Sequence, residues 1–284
     1  MMERRLIKGA AYVMLSLCLV GVVSAYYTMD VTSPAEVTVS GGGATVELTL
    51  KNRGDEPSYS TVLELMLPEG FTANRINVGK LPENTPYTGR FNITVGNITP
   101  GSYAIPVYLR FQDRNRYQIS MVYPLVAYVK NEERPMVDLS IKPVELDVDE
   151  EILMEVQVRN RDTVDHTVNL KDAFPDVLLL KDLPDSVDVP AKSVATVNPT
   201  VTTFGALPDS SFTVLLLASY VKDGIHYESL SSGRVKTKKR QMGESSQKNP
   251  LLAVAALVGV FLLAQYAWKH RKDIMKVASK KRRK

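Results

Sequence analysis

An uncharged stretch near the C-terminus, followed by a basic tail, constrains this chain more than any other feature. Residues 251–268 are 18 positions without a charged side chain, and a helix of that length extends about 27 Å, close to the thickness of a bilayer's hydrocarbon core. Tyr266 and Trp268 at its end suit the aromatic belt of a membrane interface. The sequence therefore predicts one transmembrane helix, since a buried helix of a globular core would not precede so basic a tail.

The tail sets the expected topology. Residues 269–284 carry nine Lys or Arg against one acid, so the positive-inside rule puts them in the cytoplasm and the preceding residues outside. Lys269, Arg271 and Lys272 are expected at the inner membrane interface. Residues 236–250 are polar and are predicted to form a stalk between the folded part and the helix.

The N-terminus predicts export. Residues 1–25 begin with basic side chains, continue as a short apolar run and end in small residues, which is typical of a secretory signal peptide cleaved after Ala25. An uncleaved signal anchor is the alternative, and it would put both termini inside. The one cysteine, Cys18, lies in this apolar run, so we expect no disulfide, Cys-ligated zinc or thiol nucleophile in the exported part.

The charge of the chain is segregated along its length. Residues 26–235 contain 18 Lys or Arg against 28 Asp or Glu, a net charge of −10, although the whole chain is basic. An acidic folded region repels phosphate, and nucleic acid is therefore excluded as a partner.

The central residues have the pattern of β-strands. Val46, Leu48 and Leu50 alternate with polar residues and are expected on one buried face. Pro and Gly clusters separate many such short runs, which favours a mainly β chain built as antiparallel sandwiches.

A repeat divides this region. Glu155, Asn160 and Arg161 repeat Glu47, Asn52 and Arg53 at an offset of 108. We expect one sandwich over 26–131 and a second over 136–235. The short polar linker between them, which ends in Pro135, predicts two domains placed end to end with limited bending.

Three motifs of the first copy stand at the ends of its predicted strands: Leu50-Lys51-Asn52-Arg53-Gly54-Asp55, Leu67-Pro68-Glu69-Gly70-Phe71 and Pro100-Gly101-Ser102-Tyr103. They resemble those of a known set of immunoglobulin-like modules, the cell-adhesion-related (CARDB) domains of bacteria and archaea and the related domains of alpha-galactosidases and archaeal S-layer-type proteins. The resemblance implies two tandem Ig-like antiparallel β-sandwiches and a non-catalytic surface role, although the second copy lacks the Gly of the first motif and the Leu-Pro-Glu-Gly turn. The order of segments is also similar to that of translocon-associated subunits.

Two groups of residues are candidate sites outside the membrane. Asp147, Asp149, Glu150 and Glu151 offer the hard oxygen ligands of Ca²⁺ near the linker, and the alternative is a charged turn with Val148 facing inward. Possible N-glycosylation sites are Asn92 and Asn97, each in an Asn-x-Thr motif, with Pro100 hindering the second.

The sequence lacks the motifs of a catalytic metal site, a nucleophile elbow or a phosphate loop. We therefore expect no enzymatic activity and no cofactor. The preferred interpretation is a single-pass protein of an archaeal or bacterial cell membrane that binds an extracytoplasmic protein or glycan in adhesion or envelope organisation. The alternative is an accessory subunit of a membrane complex of the translocon-associated or glycosylation type.

Overall fold

A computed structural model describes residues 28–40, 42–148 and 150–238 of this chain, and these residues form β-strands without any α-helix. The prediction of a mainly β chain is therefore confirmed for this part. The strands of the first half are β1 (Met29–Thr32), β2 (Glu36–Val39), β3 (Gly43–Asn52), β4 (Ser58–Leu65), β5 (Phe71–Ala73), β6 (Ile76–Leu81), β7 (Pro86–Val95), β8 (Gly101–Ala104), β9 (Val107–Gln112), β10 (Gln118–Tyr123) and β11 (Val126–Val129). Those of the second half are β12 (Val137–Ile141), β13 (Val144–Leu146), β14 (Glu151–Leu153), β15 (Val156–Asn160), β16 (His166–Ala173), β17 (Leu178–Lys181), β18 (Ser186–Val189), β19 (Val194–Val197), β20 (Thr200–Thr203), β21 (Ser211–Lys222) and β22 (Ile225–Thr237).

Strand β3 illustrates why these segments are strands. Val46, Leu48 and Leu50 are at most 1% exposed, whereas the neighbouring Thr45 and Glu47 face solvent. Side chains alternate between the two faces of a strand, so this sequence buries one face and hydrates the other. The prediction that the three apolar residues share a face is confirmed.

The first half is a two-sheet sandwich. One sheet has the order β1-β3-β7-β5 and the other β10-β9-β4-β6. A single hydrophobic cluster contains residues of both sheets, including Phe91 of β7, Leu63 of β4, and Leu109 and Phe111 of β9. These four side chains are almost fully buried and hold the two sheets face to face.

The second half has its own hydrophobic cluster. Strands β18-β16-β21-β22 form one layer, and two three-stranded sheets, β12-β15-β19 and β14-β20-β17, supply the other. The second layer is divided because Pro199, between β19 and β20, has no N–H to donate to a ladder. Its carbonyl instead accepts the Met154 N–H at 2.8 Å, between β14 and β15.

The two halves repeat their strands and one buried hydrogen-bonded corner. Strand β4 begins at Ser58 and its counterpart β16 at His166, 108 residues later. At the end of β3, the buried Asn52 amide donates to the Glu56 carbonyl at 2.8 Å and accepts the Gly54 N–H at 2.9 Å. Asn160 makes the same two bonds, to the Val164 carbonyl and from the Asp162 N–H, both at 2.8 Å.

A shared sheet joins the two halves. Strand β22 pairs in parallel with β8 at His226 and Gly101, which gives one sheet in the order β18-β16-β21-β22-β8-β11-β2. The prediction of an end-to-end arrangement is therefore wrong. Pro106 and Pro124 interrupt two neighbouring strands between β8 and β9 and between β10 and β11, so β4 pairs with β9 but not with β8, and the edge of β8 is free to pair with β22.

Apolar side chains from both halves close this joint. They form a separate small cluster, which excludes water from the side of the shared sheet. Its buried members are Ala104, Val122, Ala173, Leu215 and Leu217.

Several predicted segments lie outside the described residues. These are the signal peptide 1–25 with its cleavage after Ala25, most of the stalk, the helix 251–268, the tail 269–284 and the interface residues Tyr266, Trp268, Lys269, Arg271 and Lys272. Within 28–40, 42–148 and 150–238, no helix is long and apolar enough to cross a bilayer. The membrane segments remain predictions.

Gly101 tests the joint. A Cβ atom at this position would lie 1.7 Å from the His226 carbonyl oxygen, and its φ of +145° disfavours other residues. We expect Gly101→Ala to separate β8 from β22 and to lower the free energy of unfolding by roughly 3 kcal/mol or more. Chemical denaturation of the purified chain measures this loss.

Gly79→Ala is the matched control. Its φ is +76°, yet nothing lies within 4 Å of the added Cβ, so it costs only backbone strain of about 1 kcal/mol. Equal losses for the two variants would contradict the role given to the close approach at Gly101.

Candidate functional site

A groove lies on the first sandwich beside the joint, with a volume of about 460 Å³. The groove exists because the pairing between β4 and β6 ends where Ile76 lies opposite Leu63. Before Ile76 the chain belongs to β5 of the opposite sheet, so beyond Leu63 strand β4 has β9 on one side and open space on the other. The groove is lined by Glu64, Leu65, Met66, Leu67, Ala73, Asn74, Arg75, Tyr108 and Arg110.

A chain of ion pairs crosses the groove and reaches the second sandwich. Glu64 accepts from Arg75 at 3.0 Å and from Arg110 at 2.8 Å. Arg110 also donates two bonds to Asp176, at 2.9 and 3.2 Å. This paired geometry fixes the guanidinium plane, and the bond to Asp176 raises the pKa of Arg110 further above its already high value.

Tyr108 supplies an aromatic wall. The guanidinium carbon of Arg110 lies 4.7 Å from the centre of its ring, a distance typical of a cation–π contact. Burial, and next the nearby Asp172 carboxylate, raise the pKa of Tyr108, so the phenol stays protonated at neutral pH. Met66 at the rim is 37% exposed, which gives the groove an apolar side as well as a charged one.

The loop of Asp176 is held in place by the first sandwich. The Asp176 N–H donates to the Ser120 hydroxyl of β10 at 2.6 Å, while its carboxylate accepts from Arg110. The contact between Arg110 of the groove and Asp176 therefore depends on the two halves keeping their relative position.

The joint that fixes this position is polar at its centre. The His226 N–H donates to the Pro100 carbonyl at 2.8 Å, and His226 Nδ1 lies 2.9 Å from the Ser102 carbonyl oxygen. The imidazole stacks on the Tyr103 ring, with centroids 4.3 Å apart and planes within 9°. Burial lowers the pKa of His226, so the stacked ring is neutral at pH 7.

Glu228 is a buried carboxyl in the same joint and is 6% exposed. It accepts the Ala104 N–H at 2.8 Å, and its own N–H donates to the Ser102 hydroxyl at 3.0 Å. Burial raises the pKa of Glu228 to about 7, although the bond from Ala104 opposes this shift. The joint therefore contains an acid that titrates near neutrality.

The residues proposed for calcium are dispersed among other contacts. The Glu151 carboxylate pairs with Lys181 at 2.6 Å, and the Glu150 N–H donates to the Asp147 carbonyl at 3.2 Å in a turn. Asp149 lies outside the described residues. Among the residues that are described, no group of three His, Cys, Asp or Glu side chains is placed to hold a metal ion, and the calcium site stays a prediction.

The linker acids Glu132 and Glu133 lie at the opposite end of β22 from that turn, since Glu133 bonds Tyr227 near the start of the strand and Leu146, which precedes the turn, pairs with Thr237 at its end. Glu132 accepts from Thr38 at 3.0 Å and Glu133 from the Tyr227 hydroxyl at 2.6 Å. Asp138 pairs with Arg161 at 3.1 Å. These contacts tie the linker to both sandwiches.

The two sequon asparagines are exposed. Asn92 lies on the outer face of β7, where its side-chain oxygen accepts from Thr45 at 3.2 Å. Asn97 lies in the loop between β7 and β8. Both side chains are accessible to a modifying enzyme, and modification itself stays a prediction.

The remaining histidine of the described part belongs to a buried polar cluster. His166 Nε2 lies 2.9 Å from Asp162, which also accepts from Lys222 at 2.7 Å. The bond from Lys222, and then that from His166, hold the pKa of Asp162 well below its ordinary value. This cluster anchors the hairpin of β21 and β22 to the turn after β15.

Comparison with known proteins does not assign this chain to a family. No family model and no curated protein matches this chain. Among solved structures, a protein of unknown function from Porphyromonas gingivalis W83 is 12% identical, with 73% of this chain and 99% of that chain covered and a TM-score of 0.31. The YadV chaperone is 10% identical over 72% and 98%, at 0.30, and the periplasmic chaperone SfaE 13% identical over 74% and 100%, at 0.30. Scores this low carry no argument, so the β-sandwich description rests on the strand pairing itself.

Sequence reasoning missed both the groove and the joint. Glu64, Arg75, Arg110 and Asp176 are far apart in sequence and share no local spacing. The sequence carries no signal for Glu228, because Tyr227 followed by Glu228 fits ordinary strand alternation and only the structure buries both residues.

The Glu228 pKa gives a prediction with a definite sign. The pKa of Glu228 is 4.5 in the unfolded chain and about 7 in the folded chain. Between these pH values the folded chain keeps a proton on Glu228 that the unfolded chain has lost. The free energy of unfolding therefore falls as the pH rises from 4.5 to about 7. Glu228→Gln keeps an acceptor for Ala104 without the charge. We expect it to match the native chain near about pH 5 and to be more stable by on the order of 3 kcal/mol near about pH 8, because one pKa unit is worth about 1.4 kcal/mol.

Denaturant unfolding at the two pH values measures the difference. Ser102→Ala is the control at the same joint, since a hydroxyl does not titrate and its loss should be equal at both pH values. The assignment fails if Glu228→Gln and the native chain show the same dependence of stability on pH.

Proposed function

We propose that this chain is a non-enzymatic, single-pass membrane protein that displays two joined Ig-like sandwiches outside the cell membrane. It binds a protein or glycan partner in the groove beside the joint. The observation that carries this proposal is the ion-pair chain from Arg75 through Glu64 and Arg110 to Asp176, which orders the charged side of the groove and connects it to the second sandwich.

The groove's chemistry favours recognition over catalysis. Its carboxylate, Glu64, is neutralised by two arginines and is therefore a poor general base. Within the described residues no metal-binding group accompanies it. What it offers is an aromatic face at Tyr108, a fixed guanidinium at Arg110 and a thioether at Met66, the mixture of apolar anchors and few placed polar groups typical of binding sites.

The rigidity of the joint supports binding as well. A surface whose walls are already ordered loses less conformational entropy when a partner binds. Here the contacts at Ser120 and Gly101 hold Asp176 beside Arg110, so this guanidinium of the groove is ordered before any partner arrives.

The alternative, an accessory subunit of a membrane complex, is supported by a different surface. Leu153 and Leu179 are 64% and 51% exposed and lie on the outer face of the β14-β20-β17 sheet, where they pair with Thr200 and Thr202, two residues apart along β20. Exposed aliphatic side chains on a sheet favour a stable protein neighbour.

Site-specific photocrosslinking in native membranes tests the groove. A benzophenone side chain at Met66 should form an adduct, because this residue is at the groove rim and 37% exposed. We expect the adduct to disappear when Arg75→Ala is added, since this removes one donor to Glu64 without touching the joint. Protease and glycosidase digestion of the adduct distinguish a protein partner from a glycan.

Val164 is the matched control position. It is 44% exposed and lies in the turn after β15, away from the groove. An adduct at Leu153 but not at Met66 would favour the accessory-subunit alternative, and equal adducts at Met66 and Val164 would contradict a groove-specific partner.

A further inference from the structure

The loop between β20 and β21 exposes the most accessible large apolar side chain of the described residues. Phe204 is 80% exposed, and Leu207 on the same loop is 55% exposed. The loop that exposes these two side chains is ordered. The Phe204 N–H donates to the Val177 carbonyl at 2.8 Å, and Ala206, between Phe204 and Leu207, is buried. The fold therefore holds an aromatic and an aliphatic side chain outward.

This loop lies beside the point where the chain leaves the second sandwich. The Thr237 hydroxyl donates to the Leu207 carbonyl and accepts the Ser210 N–H, both at 2.8 Å. The Lys238 N–H donates to the Leu146 carbonyl at 2.8 Å and is the last described backbone contact of the chain. Phe204 and Leu207 thus lie at the end of the sandwich from which the stalk begins.

The first sandwich meets the same loop from the other side. The hydroxyl of Tyr117, in the turn between β9 and β10, donates to the Gly205 carbonyl. Arg114 and Arg116 in that turn are exposed. Acids are also present, since Asp113 accepts the Tyr117 N–H at 2.7 Å and Asp209 lies in the loop itself, so this end has no strong net charge.

The remaining chain limits how far this end can be from the predicted membrane helix. Twelve residues, 239–250, separate Lys238 from Leu251, and even a fully extended chain of this length reaches only about 45 Å. An exposed phenyl ring tethered this closely to a bilayer meets lipid at a high local concentration.

We propose that Phe204 and Leu207 insert into the outer interface of the membrane that anchors the chain. The occupant of this apolar surface is lipid, because the surface lies at the tethered end and aromatic side chains favour the boundary between headgroups and hydrocarbon. Since the charges around the loop are mixed, insertion does not require anionic lipid. The proposal rests on the membrane anchor of the proposed function and is independent of the groove.

Spin labels on the full chain in phosphatidylcholine nanodiscs test this insertion. A Cys18→Ser background carries one new cysteine at a time, in place of Phe204, Leu207, Val221 or Leu262. We expect the label at 204 to collide more often with oxygen, and less often with a water-soluble nickel chelate, than the label at 221. Val221 is the matched control, since it is 63% exposed but lies at the opposite end of β21 from the loop.

The label at Leu262, inside the predicted span, separates failure of the anchor from failure of the proposal. Lipid contact at 204 supports the insertion whether or not 262 is buried. Aqueous collision rates at both 204 and 221, with 262 in hydrocarbon, overturn it while leaving the anchor intact. Aqueous collision rates at 204, 221 and 262 overturn the anchor and the insertion together. An immobile label at 204 that does not collide with oxygen overturns the insertion in favour of a protein partner.

A second variant tests the role of the Phe204 ring with the label at a different residue. Phe204→Ser should return the label at Leu207 to aqueous collision rates, because the ring supplies most of the inserted apolar area. Unchanged lipid contact at 207 in this variant would also overturn the role of Phe204. Since the ring is exposed, the substitution should leave the unfolding midpoint unaltered.

Discussion

The close approach of the His226 backbone to Gly101 is the contact on which the rest of the structure depends. A side chain at Gly101 would overlap the His226 carbonyl, so the two strands come together only because this residue has none. Once they meet, β8 gains a second neighbour and the apolar cluster at Leu215 and Leu217 closes beside it. The position of Asp176 beside Arg110 of the groove follows from the same contact.

Polar groups give this joint its specificity. Two apolar surfaces can slide over each other, whereas Ser102, His226 and Glu228 bond to one register of β8 and β22. Among the described residues, every buried side-chain nitrogen or oxygen has a hydrogen-bond partner. The cost of this arrangement is a carboxyl with a pKa near 7, whose ionisation weakens the joint as its surroundings become more alkaline.

The strands could be predicted from the sequence because their signals are local. Alternation at Val46, Leu48 and Leu50 and the repeated Asn52 and Asn160 need only a few neighbouring residues to be recognised. The joint could not be predicted, because it pairs edges that become free only when Pro106 and Pro124 interrupt two strands at the same level. The groove likewise combines residues of three separate segments, which carry no spacing in common.

The length of β22 has a mechanical consequence for an anchored chain. This strand pairs with β21 along twelve residues, from Ile225 to Lys236, contacts the first sandwich near one end and continues into the stalk at the other. Tension between a partner held by the first sandwich and the membrane would run along the strand. Force that enters β22 near His226 and leaves at Thr237 would be carried by the covalent backbone of the strand, so the β21–β22 ladder would be spared. The load at the first sandwich would fall instead on the contact between His226 and Gly101 and on the six-residue linker beside it.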